Sequence, residues 1–316
     1  MAVSEIDFRQ LRYFVAVAQE GQMTRAAGRL QLAQPALSQA MARLEAQVGV
    51  KLLARNPRGV SLTGAGEAFL EKATAALAAM DDVQATARSW ARQQAGRLHA
   101  GFMGLTPPMM AGDLFPRFTA AHPDVTIRWR QLGYPSLTPR AWLGDADAGL
   151  IWFAPTGPGL SGQPIRTSPL VVTVSEAHPL ADRSELRVED VLDETFPGVV
   201  DWCDPGWLGY WGLDAYRGAP ARRTRDAATT PEEVASIVAT GRAITTVPAI
   251  VAVPFAHLGI RAIPLIDAAP AVLTLVWPEG AATPLVDDLV DVARGLQAGV
   301  GEQLPNSGAN SPFTGR

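Results

Sequence analysis

Hydrogen-bonding and basic side chains cluster in residues 24–45 and just beyond, and their types suit contact with a nucleic acid. Gln34, Ser38 and Gln39 fall on one side of a predicted helix, where amide and hydroxyl groups can hydrogen-bond the edges of bases. Basic side chains that can contact phosphates surround them. These are Arg25, Arg29, Arg43, Lys51, Arg55 and Arg58. The pattern indicates a surface that binds a polyanion.

Two short helices joined by a tight turn would carry this surface. Thr24 is predicted to cap the first helix through its hydroxyl. The apolar face of that helix consists of Ala26, Ala27 and Leu30. Pro35 suits the first turn of the second helix, because a backbone N–H there would have no partner in any case. That helix is predicted to end at Gly49. Its buried side consists of Leu37, Met41, Leu44 and Val48.

A helix precedes this pair and a basic hairpin follows it. Residues 8–21 have apolar side chains at i, i+3 and i+4 spacing, which predicts an amphipathic helix ending at Gly21. The apolar residues are Phe8, Leu11, Phe14, Val15 and Ala18. Residues 50–63 contain two short strands around a turn at 56–59. Three helices and a hairpin make a winged helix-turn-helix, whose second paired helix enters the major groove.

The charge is distributed unevenly along the chain. Residues 1–63 contain eight Lys or Arg and four Asp or Glu, a net charge of +4. The whole chain has a net charge of −4 (27 minus 31), so residues 64–316 carry −8. A basic head on an acidic body is typical of a nucleic-acid-binding module joined to one that does not bind nucleic acid. The alternatives are a helix-turn-helix used only for packing, or a solvated basic face.

The segment from Phe8 to Leu70 resembles the N-terminal signature of LysR-type transcriptional regulators. The resemblance rests on RQLRYFVAVAQEG (9–21), TRAAGRL (24–30) and QPALSQAMARLEAQVGVKLLARNPRGVSLTGAGEAFL (34–70). It implies a dimer-forming linker helix and a C-terminal effector domain similar to periplasmic binding proteins. It also implies that the operator lies near a neighbouring gene and the regulator's own promoter.

The resemblance also assigns positions on DNA to individual residues. Gln34, Pro35 and Ser38 are expected in the major groove at the start of the recognition helix. Thr24 and Arg55 are expected to contact phosphates, and Arg58 to lie at or near the tip of the wing. The remaining DNA-binding candidates are Arg25, Gln39 and Arg43. Gln39 and Ala42 stand where many members of the family have Arg, which predicts weaker non-specific affinity or a changed base preference.

Residues 64–94 are predicted to form one long helix capped by Thr63. Its apolar residues follow a heptad-like pattern, which favours a dimer seam that places two recognition helices on one duplex. These residues are Leu70, Ala73, Leu77, Met80 and Ala87, with Val83 and Trp90 beside them. The alternative is packing against the helix's own domain. Family resemblance adds that two dimers often form a tetramer, so the protein is expected to be a homodimer or a homotetramer.

The chain from residue 95 onward alternates strands and helices, which predicts an α/β fold with parallel strands and right-handed crossovers. The expected strands are 97–104, 125–132, 147–153, a long 164–180, 197–201, 243–248 and 271–278. The expected helices are 107–121, 136–144, 187–194, 231–240 and 284–298. They form two lobes joined by two crossovers, and the long strand 164–180 is expected to cross into the second lobe.

The sequence thus predicts an α/β protein with an N-terminal all-α winged helix-turn-helix, a long linker helix and a two-lobed effector domain. The expected divisions are the head 1–63, the linker 64–94, lobe 1 at 95–164 and 267–300, lobe 2 at 165–266 and a disordered tail at 301–316.

A small molecule is expected in the cleft between the lobes, at the carboxyl ends of the strands. Thr106 lies at a predicted helix N-terminus, which suits an anion, or it caps that helix. The candidate effector-binding residues are Leu105, Thr106, Pro107, Trp152, Phe153, Asp201, Trp202 and Thr246. Asp201 could select a cationic effector or repel anions, so a simple carboxylate ligand is not assumed.

Residues 203–212 are predicted to form an aromatic loop containing Trp207, Tyr210 and Trp211. We interpret it as a wall or lid of the cleft. The alternative is that these rings pack against the helices of their own lobe.

Several function classes find no support in the sequence. The four histidines are scattered and no HExxH, CxxC, GxSxG or GxxxxGK[ST] motif occurs, so we expect no enzyme, no metal and no cofactor. The single cysteine, Cys203, excludes an internal disulfide. Glu5 and Asp7 argue against a signal peptide, and no apolar run reaches 18 residues, so a cytoplasmic protein is expected.

The predicted partners are double-stranded operator DNA, a small-molecule effector and possible contact with RNA polymerase, with no membrane. Two alternatives stay open: a constitutive DNA binder with an empty cleft, and a ligand-binding module with a weak DNA head.

Overall fold

The computed structural model describes residues 6–56, 59–104, 108–135, 142–152, 159–200, 203–280 and 282–298. The chain divides into two compact units, Met1–Gln84 and Ala85–Arg316. Within the described ranges, no helix combines the length and the apolar character needed to cross a membrane.

Three helices form the body of the first unit: α1 (Phe8–Glu20), α2 (Met23–Arg29) and α3 (Gln34–Val48). Asp7 caps α1 by accepting a hydrogen bond from the backbone N–H of Gln10. The left-handed glycines Gly21 and Gly49 end α1 and α3, as predicted. Pro35 lies in the first turn of α3, also as predicted.

The prediction that Thr24 caps α2 is wrong. The helix begins at Met23, two residues earlier than a cap at Thr24 would require, so Gln22 takes the capping position and Thr24 is an exposed residue of the first turn. Gln22 makes no side-chain hydrogen bond to the helix. The start of α2 is therefore set by packing of Ala26 and Ala27, which are buried, rather than by a hydroxyl cap.

The core of the first unit lies where the three helices meet. Phe14 and Val17 of α1 are fully buried there, with Leu37 and Leu44 of α3. The ring of Phe14 packs edge-on against Phe69, with centroids 5.1 Å apart. Phe8, predicted to lie on the buried face of α1, is exposed.

A hairpin and a long helix follow α3. Strands β1 (Leu53–Asn56) and β2 (Gly59–Leu62) pair antiparallel, as the predicted wing requires. Helix α4 (Gly64–Gln94) spans the predicted linker. The hydroxyl of Thr63 accepts a hydrogen bond from the backbone N–H of Gly66, at 3.0 Å, and donates to the carbonyl of Lys51, so Thr63 caps α4 as expected.

The second unit contains a five-stranded sheet of order β4-β3-β5-β10-β6. Its strands are β3 (Arg97–Met103), β4 (Thr126–Leu132), β5 (Ala148–Trp152), β6 (Leu160–Ser168) and β10 (Ala271–Pro278). The first three are parallel, as predicted. β10 runs antiparallel to both β5 and β6, so the sheet is mixed rather than fully parallel.

A second, antiparallel sheet has the order β8-β7-β9. Its strands are β7 (Leu170–Ser175), β8 (Thr245–Pro248) and β9 (Ile260–Pro264). The crossing predicted for residues 164–180 is confirmed, because β6 belongs to one sheet and β7 to the other. The prediction of a single long strand is wrong, because the strand is interrupted at Pro169. Proline cannot donate a ladder hydrogen bond, so the chain changes sheets there.

The helices of the second unit are α5 (Leu114–Ala121), α6 (Pro205–Trp211), α7 (Asp214–Arg217), α8 (Pro231–Ala239), α9 (Ala249–Ala252) and α10 (Pro284–Ala298). The first of these is shorter than predicted, because left-handed Gly112 separates α5 from a 3-10 turn at Pro108–Ala111. Where a helix was predicted at 187–194, the structure has only a 3-10 turn, Val188–Val191.

Two further predicted elements differ from the structure or lie outside it. The described part of the strand predicted at 197–201 makes only an isolated bridge, between Val199 and Ala228. Most of the helix predicted at 136–144 lies outside the described residues, as does the predicted tail.

Candidate functional site

The outward side of α3 carries the polar groups predicted to meet DNA. Gln34, Pro35, Gln39 and Ala42 are exposed, and Ser38 is half-buried. The Gln34 amide donates a hydrogen bond to the Ser38 hydroxyl, at 2.9 Å. Because Leu37, Met41 and Leu44 are buried on the opposite side, the α3 polar face (Gln34, Ser38, Gln39) cannot turn inward.

The arginines of the first unit differ in how firmly they are held. Arg25 donates to the Glu20 backbone carbonyl, and Arg29 lies 3.3 Å from the Glu20 carboxylate. Arg43 is exposed, and no carboxylate of the described residues lies within ion-pair distance of it. The Arg43 guanidinium is therefore not held by a carboxylate of the described residues. Arg58 and the side chain of Arg55 lie outside what the structure describes.

Glu45, which the sequence reasoning did not single out, fixes the connection between α3 and the wing. Its carboxylate accepts hydrogen bonds from the backbone N–H groups of Leu52 and Leu53, at 3.0 and 3.1 Å, and lies 2.7 Å from Lys51 Nζ. Burial alone would raise the pKa of this carboxyl, but these donors together hold the pKa below its ordinary value. The ionised form is therefore the one that orders this connection.

Replacing Glu45 with Gln is expected to destabilise the full-length protein by about 1–2 kcal/mol at pH 7, because two hydrogen bonds to a charge are weakened. A lowered pKa stabilises the fold above the unfolded value of about 4.3 and loses that effect as the pH falls through the folded value. Urea unfolding should show a smaller difference in unfolding free energy between the variant and the unmodified protein near pH 3 than at pH 7. Glu71→Gln on α4, at an exposed carboxylate that pairs with Lys72, is the control for a surface ion pair and should have only a small effect at either pH. A pH-independent difference for Glu45→Gln would contradict this role of the charge.

Helix α4 leaves an apolar stripe uncovered in this chain. Val83 and Trp90, one heptad apart, are 64% and 46% exposed. Leu70, Leu77 and Met80 are half-buried. Single apolar side chains on a surface are ordinary, whereas exposed apolar side chains at heptad spacing are typical of a coiled-coil seam.

The C-terminal end of α4 is joined to the first sheet by a buried ion pair. Arg92 and Asp147 form this pair, with side chains 14% and 2% exposed. The Asp147 carboxylate also accepts a hydrogen bond from the backbone N–H of His99, at 2.8 Å. The carboxylate therefore ties α4 and β3 to the turn before β5.

A cavity of about 770 Å³, including its open mouth, lies in the second unit at the carboxyl ends of the parallel strands. Met103 ends β3 and Gly104 follows it, Tyr134 follows β4, and Trp152 ends β5. The opposite wall comes from the second lobe. The residues of that wall include Thr173, Phe196, Val199, Trp207, Trp211, Arg223, Thr246 and Phe255. The concave and mostly apolar lining is typical of a small-molecule site.

Helix α6 forms where an aromatic loop was predicted. Asp204 caps the helix by accepting a hydrogen bond from the backbone N–H of Trp207, at 2.6 Å. Trp207 and Trp211 line the cavity, so the segment contributes a wall. Their rings also pack on each other, with centroids 6.0 Å apart, and Trp207 packs on Tyr134 of the first lobe at 5.0 Å.

Two of the predicted effector-binding residues, Trp152 and Thr246, line the cavity. The Thr246 hydroxyl donates a hydrogen bond to the Trp211 carbonyl, at 2.7 Å, and so holds α6 against β8. The other six lie outside the described residues: Leu105, Thr106, Pro107, Phe153, Asp201 and Trp202. In the described part of the chain, no group of three or more His, Cys, Asp or Glu could hold a metal ion.

Sequence reasoning missed several residues of the cavity. Tyr134, Phe196 and Arg223 follow no motif and lie between predicted elements. Only Tyr134 carried a usable signal, since it comes directly after a strand of the parallel set.

Two family models match the chain. The bacterial regulatory helix-turn-helix of the LysR family matches residues 8–67, and the LysR substrate binding domain matches residues 91–298.

Among curated relatives, the HTH-type transcriptional regulator IlvR of Caulobacter vibrioides is 31% identical over 289 residues, which are 90% of this chain and 96% of the relative. The uncharacterized HTH-type transcriptional regulator YnfL of Escherichia coli is 36% identical over 192 residues, or 60% of this chain. The chain thus spans slightly under two thirds (65%) of YnfL.

Among solved structures, CbnR, a LysR family transcriptional regulator, matches with a TM-score of 0.52 and 24% identity, covering 92% of this chain and 99% of CbnR. At that identity the match concerns the fold alone.

Proposed function

The chain belongs to the LysR family of bacterial transcriptional regulators, with a DNA-binding helix-turn-helix and an effector-binding domain, and from that premise we propose which surfaces perform these two functions. The α3 polar face binds the bases of an operator in the major groove. The cavity of the second unit binds the effector. The observation that carries the proposal is the exposed polar side of α3, held outward by a buried apolar side.

The α3 polar face suits base contacts for a chemical reason. A glutamine amide presents a donor and an acceptor side by side and can pair with N6 and N7 of adenine. The Gln34–Ser38 hydrogen bond holds this amide in one orientation, which reduces the entropy lost on binding. Arg43, Arg25 and the wing then contact phosphates and fix the position of the head. Arg55 and Arg58 stay candidates for the wing contacts.

Replacing Gln34 with Ala is expected to weaken operator binding by about 10- to 100-fold, the value of one good base contact, while affinity for random DNA stays nearly unchanged. Fluorescence anisotropy with operator and random duplexes measures both affinities at one salt concentration. Gln84→Ala, an exposed glutamine on α4, is the matched control. An equal loss on both duplexes would contradict a role for Gln34 in base recognition.

A second copy of the chain is the partner that we assign to α4. Pairing through the heptad stripe of Val83 and Trp90 would bury apolar surface that one chain leaves exposed. It would also place two recognition helices on half-sites about 34–36 Å apart. We also propose that two such dimers form a homotetramer, that the protein acts in the cytoplasm and that it contacts RNA polymerase.

Regulation follows from the position of the cavity between residues of both lobes. A ligand that contacts both Trp152 and Trp211 favours the arrangement of the lobes in which both contacts are made. It can shift the equilibrium only by the difference between its affinities for the two arrangements. The Arg92–Asp147 pair gives a route for that shift, because it couples the sheet that carries Trp152 to the end of α4. Reciprocally, operator DNA must change ligand affinity by the same factor.

A further inference from the structure

Three tryptophans of the cavity have indole N–H groups without an acceptor. Trp152, Trp207 and Trp211 are 1%, 6% and 8% exposed, and all three line the cavity. Their indole nitrogens are buried and make no hydrogen bond to any residue that the structure describes. Buried indoles usually find a partner, as Trp142 does by donating to the Gly133 carbonyl at 2.8 Å. Three unsatisfied donors around one cavity indicate that the missing acceptors come from a ligand.

The rest of the described lining offers a ligand few acceptors and no negative charge. The hydroxyls of Thr173 and Thr246 already donate to the backbone carbonyls of Thr245 and Trp211. None of the described lining residues is Asp or Glu. Among the described lining residues, a ligand cation would therefore meet N–H donors and no counter-ion.

The charged residue of the described lining is Arg223. Its guanidinium donates to the backbone carbonyls of Pro197 and Leu208, at 3.1 and 3.0 Å. No carboxylate in the described part of the chain lies within ion-pair distance of it. Burial lowers the pKa of this guanidinium, and the charge of Asp214 partly opposes that effect. A negative charge or an acceptor oxygen in the cavity would be stabilised by the guanidinium.

The shape of the lining adds a preference for flat rings. Tyr134, Phe196, Trp207 and Trp211 bring aromatic rings from both lobes. Aromatic rings pack best against another ring, offset or edge-on.

We propose that the effector is an aromatic small molecule with acceptor oxygens and no positive charge, bound through the indole N–H groups of Trp152, Trp207 and Trp211. This inference rests on the proposed function of the cavity as the effector site. It opposes the hypothesis, drawn from Asp201, of a cationic effector.

Matched probes test this ligand class on the full-length protein by isothermal titration calorimetry. Benzoate and 2-naphthoate carry acceptor oxygens, their methyl esters are neutral acceptors, and benzylammonium and 2-naphthylmethylammonium are cations of similar size. We expect at least one acid or ester to bind, and to bind at least 10-fold more tightly than its matched ammonium. Equal or tighter binding of the ammonium, or no binding of any acid or ester, would overturn the proposal.

Tryptophan variants test the donors themselves. Trp207→Phe keeps a ring and removes the N–H, and it is expected to weaken the best acid or ester about 5- to 10-fold, the value of one hydrogen bond. The triple variant W152F/W207F/W211F should lose most of the preference over the ammonium. Trp129→Phe, at an exposed indole outside the cavity, should change nothing. If a variant misfolds by circular dichroism, the probe series on the unmodified protein still decides the question.

The same probe separates this inference from the proposed function. Operator affinity is measured with and without the tightest acid or ester. Binding with a changed operator affinity supports both proposals. Binding without such a change supports the ligand class and contradicts the regulatory role of the cavity.

Discussion

Replacing Asp147 with Ala is expected to lower the free energy of unfolding of the second unit by about 3–5 kcal/mol. The substitution leaves the Arg92 guanidinium buried without its counter-ion, and removing one partner of a buried pair has an effect of this size. It also removes the acceptor of the His99 backbone N–H. Urea unfolding of the full-length protein, followed by tryptophan fluorescence, measures the change.

Asp145 provides a matched control two residues away. Its carboxylate is partly exposed and pairs with Arg130, whose side chain is 51% exposed. Exposed pairs contribute about 0–1 kcal/mol, so Asp145→Ala should have a small effect. If Asp147→Ala were no more destabilising than Asp145→Ala, the buried pair would not hold the end of α4 to the sheet.

Gly66→Ala is expected to destabilise the first unit by about 2–3 kcal/mol. A Cβ at Gly66 would lie 2.1 Å from the Leu52 carbonyl oxygen, so α4 and the chain entering the wing would have to separate. This lies toward the upper end of typical overpacking effects, because the obstructing atom belongs to the backbone and cannot rotate away. Hydrogen exchange of the full-length protein should accelerate in α3 and the wing, and operator affinity should fall.

Gly64→Ala is the control for this prediction. No atom lies within 4 Å of a Cβ at Gly64, and alanine favours a helix over glycine by up to about 1 kcal/mol. Stability should therefore stay the same or rise slightly. Similar exchange rates in the two variants would contradict a close approach of backbones at Gly66.

The helix-turn-helix was predictable from the sequence because local and tertiary signals agree there. Pro35 and Gly49 mark the two ends of α3, and the spacing of Leu37, Met41 and Leu44 marks its buried side. The prediction of a cap at Thr24 failed because a good capping residue does not fix the start of a helix when packing favours an earlier start.

The second unit was predictable at the level of strand order but not of strand ends. The passage of residues 164–180 into the second lobe was predicted, but an apolar run of residues does not reveal where one strand ends and the next begins, as happens at Pro169. The 3-10 turn before Gly112 was missed for a similar reason, since a helix-like pattern does not distinguish a short turn from a full helix.

The cavity was only partly predictable. Both Trp152 and Thr246 were candidates under the rule that ligands bind at strand ends; Trp152 does end β5, whereas Thr246 lies near the start of β8. Arg223 and Phe196 lie in irregular segments that tertiary folding brings to the same wall, and spacing along the chain carries no signal for such a meeting. The aromatic residues of α6 were recognised by composition, although the helix itself was not predicted.

The most direct test of the account is a footprint of the full-length protein on the DNA upstream of its own gene, at two salt concentrations and against excess random DNA. We expect a protected, dyad-symmetric site whose occupancy survives the random competitor and falls steeply with salt, as phosphate contacts require. If random DNA abolished this protection as easily as it abolishes binding to an unrelated sequence, that result would contradict specific operator recognition by the α3 polar face.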